Sequence, residues 1–108
     1  SFYPDFILWL VVGDIQYVTF VDPKGIRNLN GLNDQKIQFY KDIKAIEYRL
    51  GDKQIVLNSF IVSTTPFKDG GWWSGTSSMA DFEANNVLFQ KDDPKYIGKL
   101  LGKIDVHP

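Results

Sequence analysis

No cysteine occurs among the 108 residues, which excludes disulfide frameworks and thiolate zinc sites together. Histidine occurs once, as His107, and its place next to the last residue reads as an exposed tail position, neither a ligand nor a base. Long apolar runs are missing too. The longest, Phe6 to Val12, is too short to cross a bilayer and reads as a buried strand. No basic-then-apolar leader stands at the front, so secretion is not expected and a cytoplasmic setting is. The chain starts at Ser1 and its one methionine is Met79, so it is expected to be a fragment excised from a longer protein. Its length suits one domain, residues 1–108, with a core of its own.

Basic charge is absent up to Pro23, a stretch that carries Asp5, Asp14 and Asp22. Lysine and arginine then gather: Lys24, Arg27, Lys36, Lys41, Lys44, Arg49 and Lys53 fall between positions 24 and 53, against four acids. A formal net charge of −1 does not by itself mark a nucleic-acid binder, whose affinity rests on phosphate contacts. The distribution does place acids at one point with bases flanking them.

The acids fall at a structured place. FILWLVV (6–12) and IQYVTFV (15–21) are rich in β-branched and aromatic residues and are separated only by Gly13-Asp14, the sequence preference of a two-residue hairpin turn. If Val12 pairs with Ile15, counting outward puts Asp5 across from Asp22 on one face. Cross-strand neighbours have Cβ atoms roughly 4.5–5.5 Å apart, and like charges so placed destabilise a sheet, so a cation is expected between them. Period-two alternation sets Lys24 on the same face as Asp22.

Pro4-Asp5 followed by Asp22-Pro23-Lys24 resembles the signature of the PD-(D/E)XK nucleases. The strand after Pro-Asp and the run FVDPKG look like the nuclease domains joined to helicase motors in type III restriction enzymes. The resemblance implies an α+β (α/β) fold, a restriction-endonuclease-like mixed sheet flanked by helices, with an αβββαβ core that lacks part of its first helix. It implies magnesium-dependent hydrolysis of DNA, with manganese as a substitute, and a helicase or translocase domain as partner. Asp5, Asp22 and Lys24 would be catalytic, and Asp5, Asp22 and the Pro23 carbonyl would hold the metal. Gln35 and Gln38 are candidates for the glutamine that some members carry on the following helix. Arg27, Trp72 and Trp73 are candidate DNA contacts, the tryptophans by stacking on bases. Two alternatives compete: a DNA-binding or assembly module of the same fold that does not cut, and an unrelated α+β interaction domain.

Further along, a helix is expected from about Asn33, as N-cap, to Leu50, with Phe39, Ile43, Ile46 and Leu50 as its buried stripe and Gly51 as its stop. Leu32 and Ile37 have the spacing of a hydrophobic staple. Residues 54–64 read as a third strand, residues 65–78 as a loop, 79–84 as a helical turn and 87–90 as a strand. A final helix opens with Asp93 and Pro94 and is expected to set Ile97, Leu100, Leu101 and Ile104 on one face.

Overall fold

The computed structural model describes residues 6–24, 31–69 and 77–104, with Lys24 and Asp69 as backbone alone. Strands β1 (Phe6–Val12) and β2 (Ile15–Lys24) form the expected hairpin. Of its two turn residues only Gly13 has a positive φ, 61°, the pattern of a type II′ turn, whose twist matches that of the strands it joins. Val12 pairs with Ile15, and the antiparallel register runs unbroken from there to Phe6 opposite Val21.

Helix α1 (Gln35–Leu50) leads to β3 (Ile55–Ser63), and a 3₁₀ turn (Phe67–Asp69) with helix α2 (Met79–Ala84) leads to β4 (Val87–Phe89). Helix α3 (Tyr96–Ile104) follows. The strands form one mixed sheet in the order β1-β2-β3-β4, antiparallel at the hairpin and parallel from β2 onward. The domain is therefore α+β. Both crossovers step the same way along the sheet, and helices α1 and α2 within them lie over one face, as a single crossover hand requires.

Side-chain alternation divides the core in two. On the α1–α2 face, Ile37, Ile61, Phe82, Val87 and Phe89 are buried together, with Phe67 packed against them. The Phe67, Phe82 and Phe89 rings meet edge to face at centroid distances of 5.5–6.1 Å. On the other face Tyr17, Phe60, Leu88, Leu100 and Ile104 form the second cluster, with Leu8, Leu10 and Val21 beside it.

Helix α1 keeps the expected stop at Gly51, where φ is 64°. Its cap is Asp34, not Asn33: the Asp34 carboxylate accepts from the Lys36 N–H at 2.8 Å. Its buried face also differs from the expected stripe. Ile37 and Ile43 are buried, while Ile46 and Leu50 are exposed. The reason is polar. Tyr40 donates to Asn85 Oδ1 at 3.0 Å, and Glu47 accepts from the Leu57 N–H at 2.5 Å, so the face turned to the sheet includes hydrogen-bonding residues that an apolar pattern skips.

These bonds answer a need of β3. Before β4 begins, the odd-numbered amides of β3 have no neighbouring strand, and an unpaired buried amide is costly. Glu47 takes the Leu57 N–H, the Asn86 side chain donates to the Ser59 carbonyl at 3.1 Å, and the Asn86 carbonyl receives the Ile61 N–H at 3.0 Å. Asn86 sits at φ 62°, a left-handed conformation that asparagine tolerates better than most residues.

Asp93 does act near the start of α3, accepting from the Lys95 N–H at 2.9 Å, although the helix itself begins at Tyr96. The expected α3 stripe splits. Leu100 and Ile104 are buried, whereas Ile97 and Leu101 stay largely exposed and border an apolar cleft beside Leu8, Val21 and Tyr96. No helix among the described residues is long and apolar enough to cross a membrane.

Candidate active site

Asp22 stands near the carboxyl end of β2, opposite Ile61 of β3, and is 5% exposed. Its neighbour Val21 pairs with Phe6, the first described residue of β1. Even numbering places Asp22 on the α1–α2 face, together with Phe20 and the Lys24 position. Burying a carboxylate is expensive unless partners compensate it, so a buried aspartate directly after the apolar Phe20 and Val21 calls for a specific reason.

The backbone supplies part of that reason. Gln16 N–H donates to Gln54 O at 2.7 Å, so even-numbered residues of β2 turn their amides and carbonyls towards β3. By alternation the odd-numbered residues turn theirs towards β1. Pro23 belongs to the odd set, so its missing N–H costs the β2–β3 ladder nothing, and its carbonyl is not used by β3. An oxygen donor is thus adjacent to a buried carboxylate at one strand end.

At the end of β3, Ser63 pairs with Lys24 and is fully buried. Its hydroxyl donates to the Thr65 carbonyl at 2.7 Å and accepts from the Thr65 N–H at 3.1 Å, closing the turn that leaves the strand. Gln38 donates to the Leu32 carbonyl at 2.5 Å and reaches Asn85 Oδ1 at 3.4 Å, tying the segment before α1 to the end of α2. Gln35 is exposed at the first position of α1. Lys36, Lys41, Lys44 and Arg49 are exposed along the same helix, and Lys44 is paired with Glu47 at 3.1 Å.

Asp5, Arg27, Trp72 and Trp73 lie outside the described residues, as do the Lys24 side chain and His107. Among the described residues no group of three or more acids or histidines is placed to hold a metal ion. The Gln38–Tyr40–Asn85 cluster was not foreseen from sequence. Its only signal there is Asn85-Asn86 directly before a strand, a turn dipeptide whose side chains bond to nearby backbone.

The opposite face carries a cleft of about 470 Å³ between the hairpin and α3, lined by apolar side chains with Gln90 and Tyr96 as the polar contributors. Its size suits a small ligand. Its lining among the described residues lacks the convergent charged groups that phosphate or acyl chemistry needs, which leaves Asp22 as the chemical candidate. Comparison of the chain with protein-family profiles, with curated proteins and with solved structures finds no match, so the functional reading rests on the chain's own residues.

Proposed function

We propose that this domain hydrolyses DNA phosphodiester bonds with a divalent metal held at the open end of the β1–β2 hairpin, within a restriction-endonuclease-like fold. The observation that carries this reading is the buried Asp22 at the end of β2, one residue beyond the Phe6–Val21 pair. Counted along the sequence, one further step of that register would set Asp5 across from it. Two carboxylates and the Pro23 carbonyl are hard oxygen donors, the set that magnesium prefers, with water completing its octahedron.

The metal, when bound, supplies Lewis-acid polarisation of a phosphoryl oxygen and a water activated for in-line attack. The chain's own residues do the rest. Asp22 and Asp5 would hold the metal, with the carbonyl of Pro23, the residue after Asp22, as a third oxygen donor. Lys24 would orient the attacking water or stabilise negative charge that develops at phosphorus. Lys36, Lys41 and Arg49 are exposed on the helix covering that face and offer phosphate contacts, with Arg27, Trp72 and Trp73 as further DNA contacts. A helicase or translocase domain of the parent protein would add DNA affinity through effective concentration.

The test is cleavage of plasmid DNA with magnesium or manganese. Asp22→Ala and Lys24→Ala should each lose cleavage while circular dichroism shows an intact fold. Unchanged cutting by both variants places the chemistry elsewhere.

A further inference from the structure

Among the described residues, strand β1 lies at the edge of the sheet and is hydrogen-bonded on one side only, to β2. Soluble proteins defend such edges with lysine, proline, bulges or a covering loop, because unpaired amides in a row template further pairing. FILWLVV carries none of the sequence defences, and its pairing with β2 shows no bulge. Its side chains also lie bare: Phe6, Ile7, Trp9 and Val11 are 61%, 59%, 63% and 65% exposed. Val12 and Ile15 form the hydrogen-bonded pair next to the two-residue turn, so the even-numbered residues of β1 bond to β2. Ile7, Trp9 and Val11 therefore turn their N–H and C=O groups outward. Trp9 is held in place by its indole N–H, which donates to Gln16 Oε1 at 3.2 Å.

We propose that this edge is an interface, and that its occupant is β1 of a second copy of the chain, paired antiparallel about a two-fold axis through Trp9. That register is the one in which all seven residues of each strand overlap. It sets Trp9 against Trp9 of the partner subunit and Ile7 against Val11 of the partner subunit, with the outward amides forming the hydrogen-bonded pairs. The strip on the α1–α2 face becomes continuous across the axis. A strand without charge can pair with its own copy at no like-charge cost. Aromatic side chains bury ~150–250 Å² each. Facing side chains across the new pair then cover part of the exposed apolar surface of Ile7, Trp9 and Val11 in both copies. The isologous arrangement closes on itself as a dimer of eight strands, leaving only the short β4 at each outer edge.

Sedimentation velocity at micromolar concentration tests this. The wild-type chain should sediment with twice the mass of one chain. Trp9→Lys and Trp9→Glu each set like charges opposite one another, and each should sediment as a monomer with an unchanged circular dichroism spectrum. Mixed in equal amounts, the two variants should recover the dimer, because the ammonium of one then faces the carboxylate of the other. The recovery also controls for folding, since a misfolded variant could not complement. A monomeric wild type, a Trp9→Lys variant that stays dimeric, or a mixture that stays monomeric would each overturn the proposal.

Discussion

At the scale of single residues, burial and hydrogen bonding identify the polar side chains that hold the fold, and the proposed chemistry rests on one other. Glu47 belongs to the first group: it accepts the Leu57 N–H at 2.5 Å and pairs with Lys44 at 3.1 Å. Hydrogen bonds to a charged partner contribute about 1.5–3 kcal/mol, so Glu47→Ala should lower the urea-denaturation stability by about that amount, and Glu47→Gln, which keeps an acceptor, by less. Thr19 is a contrasting case. It is fully buried, faces Asn58 across the β2–β3 ladder, and neither its Oγ1 nor Asn58 Nδ2 has a hydrogen-bond partner among the described residues. Thr19→Val removes an unsatisfied hydroxyl while keeping the branched shape, and should leave stability unchanged or raise it by about 1 kcal/mol in the same assay. Asp22 is the residue to which chemistry is proposed. Asp22→Asn preserves volume and removes charge, and should reduce metal-dependent cleavage by at least ~10²-fold, the scale on which a single electrostatic group at a reacting centre counts.

At the scale of elements, α3 is tethered by a polar device. Lys99 reaches Asp93 at 2.5 Å and Glu83 of α2 at 2.7 Å. The hydrogen bond from Lys99, with the Lys95 N–H behind it, holds the Asp93 carboxyl below its ordinary value, and Asp93, then Glu83, raises the Lys99 ammonium above its own. The depressed acid contributes stability that is present above the ordinary carboxylate value near 4 and is lost as pH falls through its lowered value. The raised base contributes stability that is present below the ordinary lysine value near 10.4 and is lost as pH rises through its raised value. The stability difference between wild type and Lys99→Met should therefore be flat between about pH 5 and 9, shrink at both extremes, and weaken with salt because the pair is at the surface. A difference that grows on acidification would contradict the assignment.

Element boundaries also show what the sequence made readable. The hairpin and its register were legible because Gly13-Asp14 admits one tight turn and fixes every pair that follows. The helical turn Met79–Ala84 was read at its observed bounds, and the structure adds a capping box between Ser78 and Asp81 that the reading did not name. The buried face of α1 was not, because Tyr40 and Glu47 face the sheet to satisfy Asn85 and the Leu57 amide, and no apolar period reports a backbone's need for an acceptor. Likewise Ile97 and Leu101 fit the α3 stripe by spacing, but the sheet is wider than one helix can cover, so they border the cleft. For the candidate site, the Asp22 position followed from register, whereas its depth of burial depended on α1 and α2 closing over the face, a tertiary consequence that strand alternation does not contain.

At the scale of the whole molecule, a mixed four-stranded sheet holds two small cores, one on each face. Phe82 is the centre of one of them, fully buried and in edge contact with Phe67 and Phe89. Phe82→Ala should cost about 3–5 kcal/mol in denaturant titration, enough to unfold a domain of marginal stability, because the cavity left among rigid rings cannot collapse. The same architecture brings a buried acid to the strand end where the proposed metal centre stands. The most direct test of that centre is Mn²⁺ titration followed by electron paramagnetic resonance, comparing the wild-type chain with Asp22→Asn. The wild type should sequester Mn²⁺ and the variant should bind it at least ~10-fold more weakly, as loss of a charged oxygen ligand requires. Equal binding by the two proteins, or no binding by the wild type, would contradict a metal site at Asp22.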